Sequence, residues 1–337
     1  MKKTRSVTST APTRVDLAGG TLDIWPLNLF FENPVTLNMA VTINVSARAS
    51  LRSDGKVILV SEDQGKRVEF ASMKEVNHKN QLPLLSRLAA HFVEAGGVEI
   101  VTRSEAPAGA GLAGSSALNI AVCGALSKLT GKKIAPLKLI DIAKDIEAAL
   151  LHVPTGLQDY GAAVFGGVNA FGFPPGGMTR EPVETGDELG KRLVLFYSGQ
   201  SRNSGINNWE MFKRVIDRHA PTMTKFARIS NCAQAAFGSL KRGDWDDFEK
   251  AVAGEWKARK ALFPAISTKV IDASIQAGMK AGAKAARICG AGGGGCFFLL
   301  CDERKRAAVA KAVEARGPKL LPFGLSRAGL KVYNSAK

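Results

Sequence analysis

The chain has 337 residues, 45% of them hydrophobic and 23% charged, which allows two packed units and sets aside disordered and fibrous readings. Its 46 lysines and arginines against 30 acids give a net charge of +16, which suits an anionic ligand. The basic residues fall in short scattered groups and aromatics are only 7%, so no nucleic-acid partner is expected.

At the N-terminus Lys2, Lys3 and Arg5 are followed by polar residues with no apolar run of the secretory kind. The longest strongly apolar run, CFFLLC at residues 296–301, is too short to span a bilayer. Five cysteines (Cys123, Cys232, Cys289, Cys296, Cys301) form no CxxC pair and read as reduced core residues. The expectation is a cytoplasmic protein without a membrane partner.

The first 60 residues carry alternating β-branched segments (TLNMAVTINVSARASL, then KVILVS) and predict strands. A helix is expected near residues 82–95, a strand at 98–103, and helices over 115–129 and 136–151, the second opened by Pro136. A strand pair is expected in GGVNAFGF. Residues 174–192 are polar and rich in Pro and Gly and mark a boundary, giving units 1–185 and 186–337. Beyond it, helices are expected around 208–220, 223–240, 245–261 and 268–281, with strands at LVLFYSG, CFFLLC and 330–332. Strands and helices cluster rather than alternate, so the fold class is α+β in two domains, the first a mixed α/β unit.

The strongest chemical signal is EAPAGAGLAGSSALNIAVCGAL, where a strand runs into a glycine loop that opens directly into a helix. Gly109, Gly111 and Gly114 permit close backbone approach, and the free N–H groups of a helix beginning at Ser115 favour a phosphate chain. Ser115 and Ser116 offer hydroxyl oxygens where Mg²⁺ needs ligands. The spacing of Gly109, Gly111 and Gly114 also matches the dinucleotide fingerprint, as does that of Gly290, Gly292 and Gly295. That reading needs an acid at the end of a second strand, but the next element is a helix with Asp141 inside it. A nicotinamide-dependent oxidoreductase stays as the alternative from another enzyme class. The four histidines show no metal spacing and no G-x-S-x-G elbow is present, so zinc and serine-hydrolase chemistry are unsupported.

The stretch PAGAGLAGSSAL resembles the phosphate-loop motif of the GHMP kinases (galactokinase, homoserine kinase, mevalonate kinase, phosphomevalonate kinase). APTRVDLAGGTLDIW is similar to that family's first motif and ICGAGGGGCFF to its third, in the expected order along the whole chain. The resemblance implies a two-domain fold whose N-terminal domain (1–185) binds ATP, and an ATP- and Mg²⁺-dependent transfer to an alcohol. It implies that Pro107, Gly109, Ala110, Gly111, Leu112, Ala113, Gly114, Ser115 and Ser116 wrap the ATP phosphates. Ser115 falls at the family's Mg²⁺ serine, although Gly114 stands where many members carry another serine.

Glu147 sits on the second helix at the edge of an apolar face, where a carboxylate wants a cation; the resemblance implies that it is the acidic Mg²⁺ ligand. Asp159, on a turn in VPTGLQDYGAAVFGG, matches the catalytic aspartate, and this stretch is closest to the branch that includes heptose-phosphate kinases. Arg14 matches the basic residue beside the transferred phosphoryl group. Asp23 matches the aspartate that sugar kinases place on substrate hydroxyls, but Gly19-Gly20-Thr21 replaces the G-E-H triplet of galactokinases. Gly292 and Gly293 would let the third loop approach the substrate. FYSGQSRNSGINNW resembles a segment of the heptose and fucose kinase branch in which Arg202 and Ser204 could hold a substrate phosphate or hydroxyls. The expected acceptor is a sugar or sugar phosphate, with a mevalonate- or homoserine-type alcohol as the alternative within the family.

Overall fold

In chain order the first half carries strands β1 (Ser6–Ala18), β2 (Val35–Arg52), β3 (Val57–Ser61) and β4 (Lys66–Phe70), helix α1 (Pro83–Phe92) and strand β5 (Gly97–Ser104). Helices α2 (Gly114–Thr130), α3 (Pro136–Leu151) and α4 (Gln158–Phe165) follow, then strands β6 (Val168–Gly172) and β7 (Thr179–Pro182). The second half holds α5 (Glu188–Arg192), β8 (Leu193–Tyr197), α6 (Gly205–Ile216), α7 (Ala220–Arg242), α8 (Trp245–Lys260) and α9 (Lys269–Lys280). It ends with β9 (Ala283–Ile288), β10 (Cys296–Cys301), α10 (Arg306–Glu314), β11 (Lys319–Leu320) and β12 (Lys331–Asn334). The computed structural model describes residues 5–201 and 205–335.

Strand β1 buries alternate residues at its start (Val7, Ser9, Ala11) and both faces from Ala11 onward, so it passes from a half-covered edge into the interior. Its partner β2 spans 18 residues and serves two further neighbours, pairing with β5 through residues 45–52 and with β6 through residues 35–39. The larger sheet runs β12-β1-β2-β5-β3-β4, with β6 and β7 continuing from β2. Helix α2 is buried almost all round, as befits an apolar helix under a sheet. At Gly124 an added Cβ would lie 2.9 Å from Leu330 and 3.1 Å from Val332, so the missing side chain lets the C-terminal strand close over the helix.

The smaller sheet, β11-β8-β10-β9, is antiparallel throughout. One apolar cluster joins the two sheets, bringing Val15, Leu17 and Leu112 of the first half together with Leu195, Phe298 and Val252 of the second. Cys123, Cys289, Cys296 and Cys301 are buried. Among the described residues no helix is long and apolar enough to cross a membrane.

Three local expectations change. GGVNAFGF holds one strand, and its partner β7 lies inside the segment expected to be an irregular boundary. Arg180 fixes that pairing, donating to Asn169 at 2.6 Å and stacking 4.6 Å from the Phe165 ring. Asp159 sits in the first turn of α4 rather than on an irregular turn. Strand β9 was unforeseen because AKAARI is rich in helix formers; burial of Ala285, Ala286 and Ile288 beside β10 overrides that preference.

Candidate active site

Every residue from 107 to 116 lines a cavity of 540 Å³ between β5 and α2. Gly109 and Gly111 adopt φ of 67° and 77°, and Ala113 adopts 61° directly before the helix. A left-handed alanine persists only where its surroundings hold it, and here it turns the loop into the first turn of α2. The third glycine loop supports the first from behind. Gly295, at φ 76°, has no room for a Cβ, which would stand 2.6 Å from the Ala110 carbonyl oxygen; that same oxygen accepts from the Cys296 N–H at 2.6 Å. Gly290 and Ala291 line the cavity. Gly292 and Gly293 instead face Ile266, whose carbonyl accepts from the Gly293 N–H at 2.8 Å.

Glu147, expected at the margin of an apolar face, is only 6% exposed. Its Oε1 accepts from Ser115 Oγ at 2.6 Å, and its Oε2 accepts from Tyr160 Oη at 2.6 Å and Ser116 Oγ at 3.3 Å. Burial pushes the Glu147 pKa above the ordinary carboxylate value, and the hydroxyl donors oppose that rise. A buried carboxylate beside two serine hydroxyls is a hard oxygen donor set, the chemistry that suits Mg²⁺.

Arg14, on β1, is buried and donates through Nε to Asp159 Oδ1 at 2.8 Å, with Nη2 2.7 Å from the same oxygen. Its Nη1 donates to the Gly111 carbonyl at 2.7 Å, so one guanidinium ties the aspartate to the phosphate loop. Asp159 keeps 27% of its side chain exposed toward the cavity it lines. Asp23 is nearly enclosed and accepts from the Gln158 N–H at 3.0 Å. Burial, reinforced by the charge of Asp159, raises its pKa to about 6. Gly156 of the Pro-Thr-Gly turn makes that position possible, since a Cβ there would stand 2.0 Å from Asp23 Oδ2. Arg202 and Ser204 lie outside the described residues.

Two further features complete the site, and neither is among the sequence expectations. Tyr160 follows Asp159 and turns the other way, onto Glu147. Asp16 lines the cavity beside Arg14 and belongs to a buried network in which Arg287 bonds Asp16 and Glu255, and Arg259 bonds Glu255 and the Gly20 carbonyl. The signal for Asp16 was present in TRVDL, because residues two apart in a strand share a face. No local signal marks Arg287 or Glu255.

Residues 82–167 match the GHMP kinases N terminal domain and residues 236–319 match the GHMP kinases C terminal domain, together just over half of the chain and in the expected order. The chain belongs to the GHMP kinases. As a GHMP kinase it is a phosphotransferase that uses ATP and an alcohol acceptor. It is similar over 98% of its length to the D-glycero-alpha-D-manno-heptose 7-phosphate kinase of Campylobacter jejuni, at 24% identity and covering 99% of that protein. A mevalonate kinase of Thermococcus sibiricus is 28% identical over 86% of this chain and 85% of its own. Among solved structures, a D-glycero-D-manno-heptose 1-phosphate kinase from Bacteroides thetaiotaomicron superposes with a TM-score of 0.81 at 21% identity, covering 98% of this chain and 100% of that one. Lactococcus lactis galactokinase complexed with galactose gives 0.80 at 22%, covering 98% and 95%. The structural likenesses establish the fold of this GHMP kinase.

Proposed function

We propose that this GHMP kinase transfers the γ-phosphoryl group of ATP to a hydroxyl of a sugar or sugar phosphate. The observation that carries the reading is the convergence on one cavity of the glycine loop, the hydroxyl-bound Glu147 and the Arg14–Asp159 pair. The curated heptose-phosphate kinase relative and the two sugar-kinase structures support the choice of acceptor. In this reading residues 1–185 form the ATP-binding unit and residues 186–337 the second unit, whose last strand β12 returns to the larger sheet beside β1.

The loop from Pro107 to Ser116 holds the phosphates through its N–H groups and the helix N-terminus. Ser115 and Glu147 hold Mg²⁺, which when bound neutralises charge on the β- and γ-phosphate oxygens. Asp159 accepts the proton of the acceptor hydroxyl as that oxygen bonds to the γ-phosphorus and the bond to ADP breaks. Arg14 keeps Asp159 oriented and places positive charge where the transferred group passes. Asp23 accepts hydrogen bonds from other acceptor hydroxyls, and Gly290 and Ala291 bring the third loop to the same cavity.

A mevalonate-type acceptor is the second reading, favoured by the mevalonate kinase relative. Asp16 and Asp23 at this end of the cavity would repel a carboxylate acceptor while accepting from hydroxyls. The deciding experiment is ADP release with free sugars, heptose 7-phosphate, mevalonate and homoserine, run on the wild type and on Asp159→Asn. With the productive acceptor the variant should lose about a hundred- to ten-thousand-fold in turnover, while Mg-ATP affinity measured by calorimetry stays unchanged. Near-normal turnover in the variant at saturating acceptor would remove Asp159 from the mechanism.

A further inference from the structure

Arg14 and Asp16 lie two residues apart on one face of β1, about 6.6 Å along the strand, and both line the cavity. Arg14 is committed to Asp159 and the Gly111 carbonyl. Asp16 is committed through one oxygen only. Its Oδ2 accepts from Arg287 at 2.9 Å, whereas Oδ1, in a residue 1% exposed, has no hydrogen-bond partner among the described residues. A buried carboxylate oxygen without a donor is costly and uncommon, and none of the described residues supplies one.

The surroundings define the donor that would suit it. Gly20 lets its backbone pass close to the carboxylate, since a Cβ there would stand 2.1 Å from Asp16 Oδ2 and 2.9 Å from Gln158 Nε2. Asp23 supplies a second carboxylate to the same cavity, and among the described lining residues Arg14 is the only basic one. Among the described residues, a phosphate or carboxylate at this end would meet two acids and no uncommitted cation, while a hydroxyl would meet the acceptors it needs.

We propose that Asp16 is a specificity-determining residue of the acceptor site: its Oδ1 accepts a hydrogen bond from an acceptor hydroxyl other than the one phosphorylated. The acceptor is thereby a sugar whose positions facing Asp16 and Asp23 carry uncharged hydroxyls, and any phosphate it bears lies away from them. The inference rests on the sugar-kinase reading and narrows it. Arg287 holds the carboxylate in place by occupying Oδ2, and Glu255 in turn holds Arg287.

The test begins with D-mannose, D-galactose, L-fucose and heptose 7-phosphate in an ADP-release assay, followed by monodeoxy analogues of the best acceptor. These are compared between the wild type and Asp16→Asn. Arg287 would draw the amide oxygen of the new side chain toward itself, which turns the NH2 toward the acceptor and replaces an acceptor atom by a donor. The variant should therefore raise the acceptor KM about 10- to 100-fold, the range for a hydrogen bond to a charged group, with the KM for Mg-ATP unchanged. One deoxy position should be penalised in the wild type and not in the variant, the non-additivity of a shared contact. A folded Asp16→Asn protein with unchanged acceptor KM, or with every deoxy penalty intact, overturns the proposal. Should the variant not fold, a crystal structure of the wild type with the best acceptor and a non-hydrolysable ATP analogue decides. A sugar hydroxyl within hydrogen-bonding distance of Asp16 Oδ1 supports the assignment, and a seated sugar with none there overturns it. If no sugar is phosphorylated, the sugar-kinase reading falls and this inference with it; a phosphorylated sugar without dependence on Asp16 removes this inference alone.

Discussion

Three hydroxyl groups converge on the Glu147 carboxylate, and Tyr160 is the one that comes from the helix carrying Asp159. Serine hydroxyls that turn toward a bound ion or phosphate leave the tyrosine as the donor that fixes the carboxylate. Tyr160→Phe should weaken Mg²⁺-dependent binding of ADP about 10- to 100-fold, the range for groups that orient a metal ligand, and leave metal-free ADP binding unchanged by calorimetry. Equal losses with and without Mg²⁺ would reduce Tyr160 to a packing residue. Asp23 makes a prediction in pH. Its pKa of about 6 lies above the ordinary carboxylate value, so the native state favours the protonated form, and stability present at low pH is lost as pH rises through about 6. Asp23→Asn removes that cost, which is of order 3 kcal/mol for a shift of this size. The variant should melt above the wild type at pH 7.5, with the gap closing toward pH 4, while binding acceptor more weakly. A gap that does not change with pH would show that Asp23 is not strained by its charge.

The phosphate loop and the third glycine loop act as one unit because their backbones touch. Gly295→Ala places a methyl against the Ala110 carbonyl at a left-handed position, so the loop carrying Gly109 and Gly111 must move. Gly111→Val forces a β-branched residue to φ 77° in the loop itself. Both substitutions should raise the KM for Mg-ATP more than the KM for acceptor, and the Gly295 variant does so from a residue absent from the cavity wall. Unchanged nucleotide affinity in a folded Gly295→Ala protein would break the link between the loops. At the level of elements the sequence was informative: β5, α2 and α3 are where their periodicity and the Pro136 start place them. Helix α4 is not legible in the sequence because its eight residues follow a Pro-Thr-Gly turn and are too few to show a period.

Across the whole molecule, the two halves are joined by charge as well as by apolar contact. Glu255 on α8 accepts from Arg259 at 2.9 and 2.7 Å, from Arg287 at 2.9 and 3.2 Å, and from the Gly19 N–H at 3.1 Å. Burial opposes its ionisation, yet the two guanidinium groups hold its pKa down to about 2. A carboxylate depressed in this way contributes stability above the ordinary carboxylate range, and the contribution is lost as pH falls through about 2. Glu255→Gln leaves two buried arginines with one carboxylate, and loss of one partner from a buried set costs about 3–5 kcal/mol. Denaturant unfolding should report that loss at neutral pH, accompanied by a higher acceptor KM, because the network also holds Gly19 and Gly20 just before Asp23.

The three glycine-bearing motifs, their order, the strand-to-helix setting of the phosphate loop and the candidates Arg14, Glu147 and Asp159 are legible in the sequence alone. These are local patterns, written in residues a few positions apart. That Arg14 reaches both Asp159 and Gly111, and that Glu147 is buried under three hydroxyls, is visible in the folded chain and not in its residue order. In the folded chain Asp16 meets Arg287, 271 positions away along the sequence. A hydrogen bond or ion pair depends on distance in space, and no periodicity along the chain carries information about partners brought together by the meeting of two sheets.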